Sequence, residues 1–187
     1  MSTTLIIVIV AVLIGIFIVS LYNKLVAYKN NRENAFADID VQLKQRHDLI
    51  PQLVSSVKGY MEHEAGVLTR VTEARSRAMK ASTIDGKIAA EQELGAALQG
   101  LQIQVEAYPD LKANTNFLQL QNEISDVENK LAAARRYFNS ATKEYNVAVQ
   151  SFPSNLIAGM FGFHTETMFD VGNAERERLD QAPEIKF

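Results

Sequence analysis

"FLQLQNEISDVENKLAAARRYFNSATKEYNVAVQSF", residues 117–152, is the stretch that decides the fold. Its apolar positions are Phe117, Leu120, Ile124, Val127, Leu131, Ala134, Phe138, Ala141, Tyr145, Ala148 and Phe152, in alternating steps of three and four. Held over five heptads, that alternation lines one stripe of a helix packed as in a coiled coil or bundle. Gln, Asn, Asp, Glu, Lys and Arg fill the positions between, as a solvated face requires. At about 1.5 Å per residue the helix is about 54 Å long, and the rest of the chain must cover its stripe.

Working back from it, Phe36, Ile39, Leu43, Arg46, Ile50, Leu53, Val57, Tyr60, Glu64, Val67, Val71, Ala74, Ala78 and Ala81 keep a single phase. Pro51 does not shift that phase, and Ile50 would be a poor N-cap for a helix starting there. Residues 36–81 therefore read as one helix kinked at Pro51, with a reversal at Gly59–Gly66 as the alternative. Asp85 with Gly86 ends this segment and can cap the next, and Ile88, Leu94, Leu98, Leu101, Val105 and Tyr108 stripe a shorter middle helix. Short joints imply antiparallel neighbours. The middle helix spans roughly 35 Å. Longer seams on either side then need cover from the C-terminal segment, a second copy, or both.

The joint between the last two helices is EAYPDLKANTNF, residues 106–117. The heptad phase breaks across Pro109, and Asn116 with Gln119 matches a capping box for the last helix. Its polar residues read as a joint, with a partner-binding loop as the alternative and an active site rejected. With an unbroken first helix, this joint faces back toward the membrane.

That membrane is implied by LIIVIVAVLIGIFIVSLY, residues 5–22, which carries no charge. Eighteen residues make about 27 Å of helix, close to the hydrocarbon thickness of a bilayer. A signal peptide would carry a basic start and a small-residue cleavage site, and neither occurs. Lys24, Lys29 and Arg32 flank the span on one side and no Lys or Arg on the other. The positive-inside rule then places the N-terminus outside and the large domain in the cytoplasm; the opposite orientation is the alternative.

Composition narrows the chemistry. Among 187 residues there is no cysteine, which excludes disulfides and thiolate metal sites, and a net charge of −3 argues against a nucleic-acid footprint. No HExxH, GxSxG, P-loop or GxGxxG occurs. His47 and His63 read as lone surface histidines, and His164 as packing or surface. No catalytic, cofactor or metal residue is assigned. Arg46 and Glu64 break the apolar seam; either each charge snorkels to water, or each is paired, with Glu91 or Glu106 as partner for Arg46. In FPSNLIAGMFGFHTETMF, residues 152–169, Leu156, Ile157, Met160, Phe161, Phe163, Met168 and Phe169 form a dense apolar patch. It either closes the bundle or docks a partner, another subunit or the bilayer surface. Candidate partner or oligomer contacts are thus Arg46, Glu64, Leu156, Ile157, Met160, Phe161, Phe163 and Phe169.

DIDVQLKQRHDLIPQLVSSVKGY (38–60), EAYPDLKANTNF, ENKLAAARRYFN (128–139) and FPSNLIAGMFGF (152–163) stand in an order that resembles the LemA family of bacterial membrane proteins, over about residues 22–169. The resemblance implies a single N-terminal membrane helix, an antiparallel bundle described as four-helical, and a bacterial inner membrane. It implies no reaction. The expected organisation is all-α: a transmembrane anchor at 1–23, an antiparallel three- to four-helix bundle at 24–152, and an apolar segment with a polar tail at 153–187. The expected function is a self-associating membrane scaffold without catalysis or cofactor. Its expected partners are the lipid bilayer, a second copy or another membrane protein, and not nucleic acid. A signal-transducing helical protein is the alternative, which a one-residue insertion near Asn30 would test; an enzyme or metal-binding protein ranks below both.

Overall fold

A computed structural model describes residues 3–61 and 64–169. His63 and the tail beyond Phe169 lie outside the described residues. The described chain forms helices α1 (Thr3–Lys58), α2 (Ala65–Lys80), α3 (Ile84–Val105), α4 (Pro109–Lys112), α5 (Thr115–Gln150) and α6 (Ser154–Phe161). No strand occurs among the described residues, so the all-α class holds.

α1 passes through Pro51 without interruption but ends at Lys58. The expected single helix over 36–81 is therefore wrong. The Arg75 Nε–H donates to the His47 carbonyl at 2.7 Å, pairing residues nearly equidistant from the turn, so α2 runs antiparallel to the end of α1. Met61 enters the core while Tyr60, the residue in phase, is exposed. Glu64 is not a seam residue; it stands half-buried at the start of α2, an end that favours an acid.

The remaining boundaries are set by capping. Thr83, and not Asp85–Gly86, caps α3, its hydroxyl accepting from the Gly86 N–H at 3.1 Å. A Cβ on Gly86 would lie 2.8 Å from that hydroxyl oxygen, so a side chain there would make the Thr83 hydroxyl shift. Asn114, two residues before the expected Asn116, caps α5: its side-chain oxygen accepts from Asn116 N–H at 3.0 Å and Phe117 N–H at 3.2 Å. Pro109 occupies the first turn of α4, where its missing N–H costs nothing. Gly162 ends α6 at φ 73°, and the Phe163 N–H reaches back to the Ala158 carbonyl at 2.9 Å.

The chain divides into two compact units, and α1 and α5 contribute residues to both. The first contains described residues 3–40 and 132–168. In it Leu25, Tyr145, Val149, Ile157 and Ala158 form a core, and the Phe36 and Phe138 rings meet edge to face at 5.4 Å. The second contains described residues 41–61, 64–131 and 169. Ile50, Val57, Val71, Leu94, Leu101 and Phe117 lie in its core, which draws on α1, α2, α3 and α5. With four long helices available, the seams thought to need outside cover in this unit have neighbours within it. Burying each large apolar side chain contributes roughly 1.5–3 kcal/mol.

Candidate functional site

Three regions hold the residues that chemistry or recognition could use. The first is a charge cluster in the second unit. Arg46 occupies a core position of α1 and is only 2% exposed. Its guanidinium pairs with Glu91 of α3 and, at 2.7 Å, with Glu128 of α5. The other oxygen of Glu91 lies 2.7 Å from His47 Nε2, and Arg75 of α2 holds the His47 carbonyl. Four helical segments are thus tied at one level. Arg46 and Glu91 are both buried, so each would be costly without the other. Arg46 pairs internally with Glu91, one of the two partners foreseen, and faces away from any external partner. His47 is buried, not a surface histidine. Glu91 fills the gap between Ile88 and Leu94 in the α3 stripe, which is the signal by which it could be found.

Beside the α1–α2 turn lies the joint 106–117. Lys112 Nζ is 2.6 Å from Glu106, and the Asn114 amide donates to the Tyr60 hydroxyl at 3.2 Å. Glu106 is exposed and serves the joint, not Arg46. Leu111 is fully buried beneath it. Because α1 and α2 form a hairpin, this joint stands beside the turn that ends α1, not at the opposite end as an unbroken helix requires. An open groove of about 840 Å³ near the same turn is lined by Val54, Lys58, Met61, Leu68, Thr72 and Glu73. Among the described residues no group of His, Asp or Glu is placed to hold a metal ion.

The third region is the C-terminal segment of the first unit. Ile157 and Ala158 of α6 are buried, whereas Leu156, Met160 and Phe161 face outward, with Phe152 just ahead of the helix. Phe152, expected on the α5 seam, is 80% exposed because α5 ends at Gln150; Val149 is buried instead. Phe161 and Phe163 pack on Tyr22, with ring centres at 4.9 and 5.8 Å. Phe163 is half-buried and Phe169 buried.

Residues 163–168 then follow α5 as an extended strap. The Asn146 side chain donates to the Glu166 carbonyl at 2.9 Å and accepts from its N–H at 2.8 Å. Arg32 lies buried across the strap, 3.3 Å from the Glu166 carboxylate and 3.2 Å from the Thr167 carbonyl, and stacks on Phe138. Burial, with the Glu166 charge adding to it, raises the Tyr145 hydroxyl above its ordinary pKa of 10.0, against the lowering effects of Arg32 and a backbone hydrogen bond at His164. Arg32 counts in the sequence as a flanking charge of the span; its role in the strap goes unread there. Its signal is spacing: Arg32 lies two heptads before Arg46, on the same seam position.

Every buried cluster described so far is turned toward the protein itself, so likeness to other chains bears on what the frame serves. The LemA family model matches residues 35–187. Protein LemA of Metamycoplasma hominis is 30% identical over 174 residues, 89% of this chain and 78% of the relative. Magnetosome protein MamQ of Magnetospirillum gryphiswaldense is 23% identical over 168 residues, 76% of this chain and 62% of that relative. Magnetosome protein MamQ 2 of Paramagnetospirillum magneticum is 21% identical over 174 residues, covering 79% of this chain and 64% of its own. An exposed N-terminal helix apolar enough to cross a bilayer, a helical frame behind it and a family match over most of its length agree: this chain belongs to the LemA family.

Proposed function

We propose that the protein is a membrane-anchored helical scaffold that associates with copies of itself and carries out no reaction of its own. The observation that carries this reading is α1: its apolar stretch is exposed along its length and continues without a break into the helical frame. Among the described residues the buried charges of that frame are matched with one another. The names of the relatives, Protein LemA and Magnetosome protein MamQ, describe no reaction.

Self-association through the span is supported by Ala11 and Gly15, one turn apart on α1. Nothing lies within 4 Å of a Cβ added at Gly15, and small residues so spaced let two membrane helices approach closely. Lys24 and Lys29 are exposed beside the span, whereas Arg32 is taken up by the strap. The exposed pair supports a bacterial inner-membrane protein with the N-terminus outside and the helical frame in the cytoplasm. Crosslinking in native membranes tests the scaffold: a dimer or larger species is expected, reduced by Gly15→Leu. A chain that crosslinks to neither itself nor any other protein would overturn it.

A further inference from the structure

The outward face of α6 does not suit water. Residues 152–163 contain no charge; Phe152 (80% exposed), Leu156 and Met160 (76%) face away from the core, and Phe161, which packs on Tyr22, is still 55% exposed. A helix at an aqueous surface presents a polar face, whereas one apolar on both sides has an apolar medium on both. The protein supplies one side, through Tyr22, Leu25, Tyr145 and Val149.

What lies on the other side follows from where α6 is fixed. Tyr22 ends the apolar run that begins at Leu5, and Leu25 is three residues further along the same helix. Those three residues rise about 4.5 Å. The headgroup region on each side of a bilayer is roughly 5–8 Å deep. The packing of α6 on Tyr22 and Leu25 therefore holds it within that layer. A tyrosine such as Tyr22 is favoured there, and the exposed Lys24 suits its phosphates.

We propose that α6 is an interfacial membrane helix, whose Leu156, Met160 and Phe161 side chains, with Phe152 just ahead of it, enter the lipid leaflet in which the α1 span ends. The proposal rests on the span being a membrane anchor. A second copy fits the patch less well: four side chains offer on the order of 500 Å² per copy, against roughly 800 Å² per partner in a standard interface.

The absence of cysteine permits a clean test in the full-length chain. Met160→Cys, Val12→Cys and Ile103→Cys are each labelled with bimane and reconstituted into vesicles of phosphatidylethanolamine and phosphatidylglycerol. Quenching is read with shallow and deep nitroxide lipids and with aqueous iodide. The Met160 label should lose about twofold more emission to shallow nitroxide than the Ile103 label, while the Val12 label responds most to deep nitroxide. A Met160 label that behaves like Ile103, beside a lipid-quenched Val12 label, overturns the interfacial helix and leaves the anchor standing. If the Val12 label also ignores lipid, anchor and proposal fall together. A Met160 label shielded from both lipid and iodide would assign the patch to a protein surface and overturn the lipid assignment.

Discussion

Each of the two units buries one arginine at the same heptad position of α1, and the two arginines are satisfied in different ways. Arg46 in the second unit meets two carboxylates carried on helices, Glu91 and Glu128. Arg32 in the first meets a carboxylate and a carbonyl on a strap without regular structure, and the face of Phe138. The second unit has four helical segments around its core. The first has two long helices, recruits α6 and the strap as its remaining cover, and still leaves apolar side chains outside. A pair of helices covers only the stripes that face each other, whereas four helices surround a shared core. The unit with too few helices is also the one that contains the apolar span, where lipid can supply what the chain does not.

Breaking the two clamps should therefore have unequal results. Arg46→Ala leaves Glu91 buried without its cation and should cost about 3–5 kcal/mol, read by urea unfolding in detergent. Arg46→Met with Glu91→Leu removes both charges and should recover most of that loss. A double variant as unstable as the single one would mean that the cluster stabilises by more than charge matching.

Arg32→Ala should cost less, about 1–2 kcal/mol, because the Glu166 side chain is about one-third exposed and can turn to water. Its signature is local: amide exchange at Glu166 should quicken while Leu94 and Leu101 stay protected. Faster exchange at Leu94 would break the contrast between the units.

The smallest effect belongs to the α5 cap. Asn114→Ala should cost about 1 kcal/mol, and Asn116→Ala a few tenths at most, by the same unfolding measurement. Equal losses would show that the first turn of α5 is held by something other than its cap.

The periodicity of residues 36–81 shows how much was legible. Phe36, Ile39, Leu43, Ile50, Leu53 and Val57, then Val67, Val71, Ala74 and Ala78, are buried as their phase predicts, yet the helix that should join them does not exist. Phase reports which side chains face inward and not which way the chain runs. A turn that keeps the count leaves the pattern intact across a reversal. Met61, buried one place out of phase where Tyr60 is exposed, marks it. The Arg46–Glu91 pair could be anticipated because a charge in a seam demands a partner. His47 and Glu128 lie beside the apolar seams and not in them, so the pattern does not mark them, and Glu166, the partner of Arg32, lies beyond the last long helix.

The sequence by itself determined the all-α class, the apolar span, the inward faces of the long helices, and the reading of 106–117 as a joint. These follow from local composition and from a repeat that matches the turn of a helix. Tertiary structure decided the reversal after Lys58, the partners of the buried arginines, and the seating of α6 on Tyr22. Those depend on which distant segments meet, and a one-dimensional pattern of polarity does not contain that information.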